Sequence, residues 1–183
     1  VYADGEPLLI DAGVDTYTAK TFSSRRYEIW TMQSAYHNLP TVGGVMQGAG
    51  RDFEATKVSY RSGEDGGEMT LNLATAYPKE AGVREWMRTL RLDRGRNEVT
   101  IRDRYSLAKP PSEITLTLMS VREPKPASGV LEYGIGRVAF DPEVFTPKVE
   151  EIKLEEGRLS SVWGARVWRT LLSRPSSSLI SST

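Results

Sequence analysis

The chain has 183 residues, with 24 Lys or Arg and 24 Asp or Glu, so its formal net charge at pH 7 is zero. This balance gives no reason to expect nucleic acid or an anionic membrane surface as a partner. No apolar run approaches the roughly 18 residues that a membrane-spanning helix needs. Cysteine is absent, which excludes disulfides, thiolate metal sites and a cysteine nucleophile. The compartment stays open between secreted, periplasmic and cytoplasmic.

The chain starts with Val1 rather than with methionine, and we therefore expect it to be a fragment of a longer protein. Its length suits one large domain or two small ones, and a chain of this size can bury a real core. We predict a single domain over residues 1–174. Residues 175–183 are rich in serine, and we expect them to form a frayed polar tail.

Short extended segments recur along the chain. The first is a hairpin in which Asp4-Gly5 supplies the turn between residues 2–3 and residues 8–10. Alternation of apolar and polar residues, which is typical of a strand with one buried face, then returns several times. It is found at residues 69–73, in a long hairpin over residues 84–107, and at residues 114–118, 131–135, 138–140 and 167–172.

Turn signals rich in Gly, Pro and Asp separate these segments, as at residues 64–67, 109–111 and 123–126. Frequent short strands with turns between them favour an antiparallel arrangement over a βαβ architecture. Helical candidates are short and lie at residues 23–32 and 158–166. The sequence therefore predicts an all-β fold, an antiparallel β-sandwich with few short helices.

Residues 23–47 stand apart because they crowd polar and aromatic side chains together without strand alternation. His37 is the only histidine of the chain, and an imidazole can accept a proton or, when charged, neutralise a carboxylate. Asn38 beside it could donate a hydrogen bond to an oxyanion. Arginines such as Arg26 bind carboxylate or sulfate with two parallel hydrogen bonds, and aromatic rings offer flat surfaces to sugars.

Each of these features also has a structural interpretation. A lone histidine beside a tyrosine is more often structural than catalytic. Paired arginines, here Arg25 and Arg26, are usually a solvated surface, and Trp30 is more often part of a core than a sugar platform. Composition alone therefore does not decide what this segment does.

Several longer segments carry a resemblance to a known family. They are YADGEPLLIDAG at residues 2–13, RYEIW at 26–30, SAYHNLPTV at 34–42 with Gln47 soon after, the strand pair at 86–105, and WGAR at 163–166. Together these segments resemble the β-sandwich domain of the heparinase II/III-like family. The resemblance covers nearly the whole chain, and the segment that contains His37 and Asn38 is its most specific part.

The resemblance implies the C-terminal β-sandwich domain of a polysaccharide lyase that cleaves uronic-acid-containing polysaccharides by β-elimination. In this family an N-terminal (α/α) toroid precedes the sandwich, and the glycan lies in the cleft between them. The expected partners are thus an acidic polysaccharide and the missing toroid. His37 matches the catalytic histidine that the sandwich contributes, and the expected substrate-binding residues are Tyr36, Asn38, Arg26 and Gln47. Because most catalytic groups come from the toroid, we expect the fragment alone to be inactive.

Some members of the family hold a divalent metal in the sandwich through more than one histidine and an acidic residue. This chain has one histidine, and His37 with a carboxylate such as Asp52 would make a poor zinc site. We therefore predict no metal and no other cofactor. Which uronic-acid polymer would be the substrate is left open by the sequence.

Residues 84–104 contain seven arginines and four acidic residues, a local net charge of +3. Such a basic ribbon would attract an acidic polymer, although a solvated hairpin explains it equally well. Two alternatives to a lyase domain stay open. One is a non-catalytic carbohydrate-binding sandwich, and the other is a structural or interaction module. Because sandwiches host all three roles, the fold by itself does not choose between them.

Overall fold

The computed structural model describes residues 1–175, and most of its regular structure is strand. The strands are β1 (Tyr2–Ala3), β2 (Glu6–Pro7), β3 (Pro40–Val42), β4 (Thr56–Gly63), β5 (Gly66–Asn72), β6 (Val83–Asp93), β7 (Glu98–Leu107), β8 (Glu113–Ser120), β9 (Lys125–Ala127), β10 (Val130–Glu132), β11 (Arg137–Ala139), β12 (Thr146–Lys153) and β13 (Arg166–Pro175). The helical elements are the α-helix α1 (Arg158–Trp163) and the 3-10 turns Ala19–Phe22, Arg26–Glu28, Trp30–Met32, Ser34–Tyr36, Ala74–Ala76 and Lys79–Ala81.

The chain forms two compact units. Of the described residues, unit 1 comprises 1–44 and 111–175, and unit 2 comprises 45–110. The single domain expected over residues 1–174 stays a prediction.

The opening hairpin of unit 1 is shorter than the sequence suggested. Asp4 and Gly5 both have positive φ angles, 51° and 82°, as a two-residue hairpin turn requires. Such a turn places the residues beside it directly opposite each other, so the partner of β1 is Glu6–Pro7 and not residues 8–10. Residues 8–10 are instead buried outside any strand.

The larger sheet of unit 1 is antiparallel with the order β12-β13-β8-β3. Neighbouring residues of a strand point to opposite faces, so Leu118 and Met119 of β8 enter two different clusters. The first cluster contains Leu8, Leu9, Leu118, Leu131, Tyr133 and Leu172. The second contains Ile10, Met119 and Val167, with Trp30 and Trp163 packed against it. Both faces of the sheet are therefore covered within unit 1.

A small sheet with the order β11-β10-β9 contributes Leu131 to the first cluster. The strand predicted over residues 131–135 ends early, at Glu132. Gly134 has a φ of 80°, a left-handed conformation that turns the chain back toward β11. Tyr133 accordingly donates its backbone N–H to the carbonyl of Gly136 across this turn.

Unit 2 is built on an antiparallel meander with the order β4-β5-β6-β7. Its β6–β7 pair is the long hairpin that the sequence predicts. Trp86 lies opposite Tyr105, their rings stack at 4.6 Å, and Tyr77 stacks on Trp86 at 6.3 Å. On the same face the Arg88 side chain, only 4% exposed, donates two hydrogen bonds of 2.8 and 2.7 Å to Asp103. A buried guanidinium needs such a partner, because desolvating it alone costs several kcal/mol.

The all-β class predicted from the sequence, with antiparallel sheets and few short helices, is confirmed. The helix expected at residues 158–166 is α1, which stops at Trp163 because Gly164 has a φ of 84°. The short helical candidate at residues 23–32 takes the form of two separate 3-10 turns, Arg26–Glu28 and Trp30–Met32. Pro175, expected in the tail, is the last residue of β13, and the rest of the predicted tail lies outside the described residues.

Two buried tyrosines should make the fold sensitive to alkaline pH. Burial raises the pKa of Tyr133 to about 12, against a smaller opposing effect of the Thr170 hydroxyl. Burial also raises the pKa of Tyr77 well above its ordinary value, against a smaller opposing hydrogen bond with Gln47. In the unfolded chain both hydroxyls titrate near pH ~10, so the unfolded state loses its protons first as the pH rises. The free energy of unfolding should therefore be constant below about pH 9 and decrease above pH ~10. Each of the two tyrosines should contribute a decrease on the order of 1 kcal/mol per pH unit.

Urea unfolding at about pH 8, 10 and 11 measures this dependence. The substitution Tyr133→Phe should flatten the decline, because phenylalanine has no proton to lose. An equally steep decline in a variant with both Tyr77→Phe and Tyr133→Phe would show that other groups cause it.

Candidate functional site

The segment that contains His37 is a run of 3-10 turns in unit 1. The turns Arg26–Glu28, Trp30–Met32 and Ser34–Tyr36 are each followed by a single residue with extended backbone, namely Ile29, Gln33 and His37. A turn therefore begins every four residues. Because each turn is closed by its own i→i+3 hydrogen bonds, no continuous helical ladder forms. Carbonyls that such a ladder would use must find other donors.

Side chains of the extended residues supply two of these donors. The Gln33 amide donates to the carbonyl of Tyr27 at 3.0 Å, and His37 Nε2 lies 3.2 Å from the carbonyl of Thr31. In both pairs the side chain reaches the carbonyl six residues earlier. These contacts tie successive turns of the run to one another.

His37 is held at both ring nitrogens. Nδ1 lies 2.6 Å from Oδ2 of Asp11, while Nε2 faces the carbonyl of Thr31. A carboxylate and a carbonyl can only accept hydrogen bonds, so both contacts are satisfied together when each nitrogen carries a proton. The side chain is 27% exposed. Either ring nitrogen would have to release its partner, Asp11 or Thr31, before it could contact a substrate.

Asn38 joins two elements of unit 1. Its amide nitrogen donates to the carbonyl of Ile10 at 2.8 Å, and its carbonyl oxygen accepts from the backbone N–H of Met119 at 2.9 Å. Ile10 also donates its own N–H to the carbonyl of Met119. Asn38 thus links the buried segment after β2 to β8, which is a structural role for a residue that the sequence placed among the substrate-binding candidates.

Tyr36 lies between an aromatic ring and a cation. It packs edge-on against Trp30, with ring centroids 5.3 Å apart, and the guanidinium carbon of Arg169 lies 4.3 Å from its ring centroid. Arg169 also lies 3.5 Å from Oε2 of Glu150 on the neighbouring strand. Tyr36 therefore has ring contacts within unit 1, and Trp30 packs against a core cluster, as its structural interpretation proposed.

Arg26 differs from the other candidates because its charge is available. Its guanidinium carbon is 5.5 Å from the ring centroid of Tyr27, and both residues are exposed. Among residues 1–175, no carboxylate forms an ion pair with it. Its neighbour Arg25 instead donates three hydrogen bonds of 2.9–3.1 Å to Glu28. These contacts and Lys20 lower the pKa of the Glu28 carboxyl below its ordinary value.

Arg26 belongs to a segment with unusually exposed aromatic rings, which we call the 17–28 segment. Phe22 is 79% exposed, Tyr17 57% and Tyr27 46%. The ring centroids of Tyr17 and Phe22 are 5.6 Å apart. Within the same segment, Nζ of Lys20 lies 3.1 Å from Oε2 of Glu28. Sequence reasoning singled out Arg26 but missed Tyr17 and Phe22, whose exposure no local pattern indicates.

Gln47 lies in unit 2, whereas the other four candidates, His37 among them, lie in unit 1. It is half-buried and forms a hydrogen bond with the side chain of Tyr77. Within unit 1 the structure places Tyr36 in the last turn of the 3-10 run, His37 and Asn38 directly after it, and Arg26 in its first turn.

The described residues, 1–175, contain no group of three or more His, Cys, Asp or Glu side chains that could hold a metal ion. Nor does this part of the chain contain a helix with the length and apolar character needed to cross a membrane. The chain matches no protein-family model and has no significant similarity to a curated protein. The resemblance to the heparinase II/III-like family thus stays a prediction made from the sequence.

The Asn38 link should contribute measurably to stability. Replacing Asn38 with Ala removes its hydrogen bonds to the carbonyl of Ile10 and to the backbone N–H of Met119. We therefore expect the free energy of unfolding to fall by about 1–3 kcal/mol. Asn38→Asp keeps the acceptor for Met119 but loses the donor to Ile10, and should be destabilising as well. Urea unfolding measures both, with the exposed Ser24→Ala as control. A loss no larger than that of the control would contradict a structural role.

Proposed function

We propose that this chain is a glycan-binding β-domain of a polysaccharide lyase, which provides one wall of a cleft for uronic-acid-containing polysaccharides. The observation that carries the proposal is the 17–28 segment. It presents exposed aromatic rings together with Arg26, whose charge no carboxylate of the described chain neutralises. The sequence resemblance adds the reaction, β-elimination, and an N-terminal (α/α) toroid as the other wall.

The 17–28 segment has the chemistry that an acidic sugar requires. The flat faces of Phe22 and Tyr27 can pack against the C–H faces of sugar rings. A guanidinium offers two parallel hydrogen bonds to a carboxylate or sulfate. Arg26 can do so without breaking an existing ion pair, whereas Arg25 would have to release Glu28.

His37 fits electrostatic stabilisation better than proton abstraction. β-Elimination on a uronic acid develops negative charge near the carboxylate as the C5 proton leaves, and prepositioned cations or donors stabilise that charge. Both ring nitrogens of His37 already have partners, Asp11 and the carbonyl of Thr31, so neither is free to accept the C5 proton. The base at C5 and the acid at the leaving oxygen then come from the toroid, as the resemblance implies.

A non-catalytic carbohydrate-binding module is the second candidate. The observation that favours it is that both ring nitrogens of His37 are engaged, by Asp11 and by Thr31, which leaves neither free for a substrate. Both candidates share the 17–28 segment as the glycan contact. They differ in whether His37 affects turnover.

Glycan binding should depend on Arg26 far more than on Arg25. We expect Arg26→Ala to weaken binding of a heparan sulfate or alginate oligosaccharide by about tenfold or more, because it removes a charge-assisted contact. Arg25→Ala is the matched control, since it deletes the same side chain at the neighbouring position. Isothermal titration calorimetry of the chain at low salt measures both. Equal effects of the two substitutions, or no binding by the unaltered chain, would contradict the assignment.

The chain alone should have no lyase activity, because elimination needs a base, an acid and charge stabilisation on the same bound sugar. In a longer protein that includes the toroid, His37→Ala should lower turnover by about 100-fold or more if His37 serves the reaction. Ultraviolet absorbance of the unsaturated product measures both. Unchanged turnover would leave His37 a structural residue, and steady product formation by the chain alone would place the catalytic set within these 183 residues.

A further inference from the structure

One face of the unit 2 sheet is apolar and only partly covered. The register places Tyr60, Met69, Leu90 and Ile101 in one row across β4 to β7, and Leu92 and Val99 in the next row. We call these six side chains the apolar face. Tyr60 is 67% exposed, Val99 42%, and Met69 and Leu92 are each 37% exposed.

The neighbouring residues make this face a flat surface. Gly67 precedes Leu92 in its row, and a Cβ on Gly67 would lie 3.5 Å from the hydroxyl of Tyr60, so the tyrosine ring leans over the glycine. Further along the same face, Arg88 and Asp103 form the buried ion pair. The exposed apolar part therefore lies toward the end of the sheet that carries the two hairpin turns.

The two turns at that end have opposite charges. The β4–β5 turn presents Glu64 and Asp65, which we call the acidic turn, and the β6–β7 turn presents Arg94 and Arg96, the basic turn. All four residues are exposed. Among residues 1–175, none of the four side chains forms an ion pair. The turns are adjacent, since the N–H of Arg94 donates to the carbonyl of Asp65 at 2.9 Å.

We propose that the apolar face binds a second copy of this chain in a two-fold symmetric dimer, with the axis parallel to the strands. A rotation about such an axis reverses the strand order of the partner, so β4–β5 of one copy faces β6–β7 of the other. The turns stay at the same end. The acidic turn of each copy therefore lies against the basic turn of its partner, and this contact occurs twice, as a two-fold interface requires.

The size of the apolar face sets the strength of this dimer. Four strands span about 14 Å from the first to the last, and only two rows of side chains contribute. The surface buried by this face is well below the roughly 800 Å² per partner of a standard interface. The dimer is accordingly weak and depends on its two charged contacts, with a dissociation constant on the order of tens of micromolar.

Charge reversal at the turns tests the arrangement. The acidic-turn variant carries Glu64→Arg and Asp65→Arg, and the basic-turn variant carries Arg94→Glu and Arg96→Glu. Each variant alone pairs like charges at both contacts, so its self-association should weaken by tenfold or more. An equimolar mixture of the two should associate as the unaltered chain does, and so should the variant that carries all four substitutions.

Sedimentation velocity over about 1–300 µM measures these associations at low and high salt. A chain that stays monomeric throughout this range would overturn the proposal, and so would a mixture that associates no better than the separate variants. The four positions have ordinary negative φ angles, and the turn hydrogen bonds use backbone N–H groups, so the substitutions should leave the turns intact.

A second pair of variants tests the apolar face. Leu92→Thr with Val99→Thr keeps branched side chains on the strands but removes apolar surface, and it should weaken self-association by tenfold or more. The matched control is Thr89→Val with Thr100→Val, which lies on the opposite face of β6 and β7. If the control weakens the dimer as much as the first pair, or if the first pair has no effect, the apolar face is not the interface.

Discussion

The candidate site depends on how the backbone of residues 26–37 satisfies its hydrogen bonds. A helix would satisfy them internally, but extended residues interrupt this run every fourth position. Backbone carbonyls without a backbone partner must therefore be contacted by side chains. Gln33 and His37 do this for the carbonyls six residues before them in the chain. Asn38 then attaches the end of the run to Ile10 and Met119. Without these contacts the segment would have no defined path over the sheet.

This use of side chains separates two kinds of polar residue that look alike in the sequence. Gln33, His37 and Asn38 have their hydrogen-bonding groups engaged by the fold itself. Arg26 has its charge directed to solvent beside Tyr27. A ligand can bind Arg26 without a structural cost, whereas recruiting His37 or Asn38 would break contacts that hold the run in place. The same distinction makes the 17–28 segment the better supported surface for glycan recognition.

In unit 2, one face of the sheet likewise has buried side chains at one end and accessible side chains at the other. At one end Trp86, Tyr77 and Tyr105 stack, and the Arg88–Asp103 pair satisfies its charges within the unit. At the other end the side chains remain accessible, and the charged turns beside them have no ion-pair partner among the described residues. The buried end stabilises the unit, while the accessible end is available for association. Of the seven arginines at residues 84–104, Arg88 is buried against Asp103 and Arg91 lies 3.7 Å from Asp93.

Local physical rules were enough to determine the fold class and several elements. Alternating side chains indicated β5, β6, β7, β8 and β13, because burial on one face of a strand requires that period, and Asp4-Gly5 indicated the first turn because its φ angles need such residues. The same rules misjudged residues 8–10, which lie outside the opening hairpin. Only the tertiary structure decided which polar side chains are already hydrogen-bonded within the fold. Asp11 contacts His37 from 26 positions away in the sequence, and the backbone N–H of Met119 donates to Asn38 from 81 positions away. Contacts over such separations leave no periodic signal in the sequence, so the engagement of His37 and Asn38, and the availability of Arg26, could be read only from the folded chain.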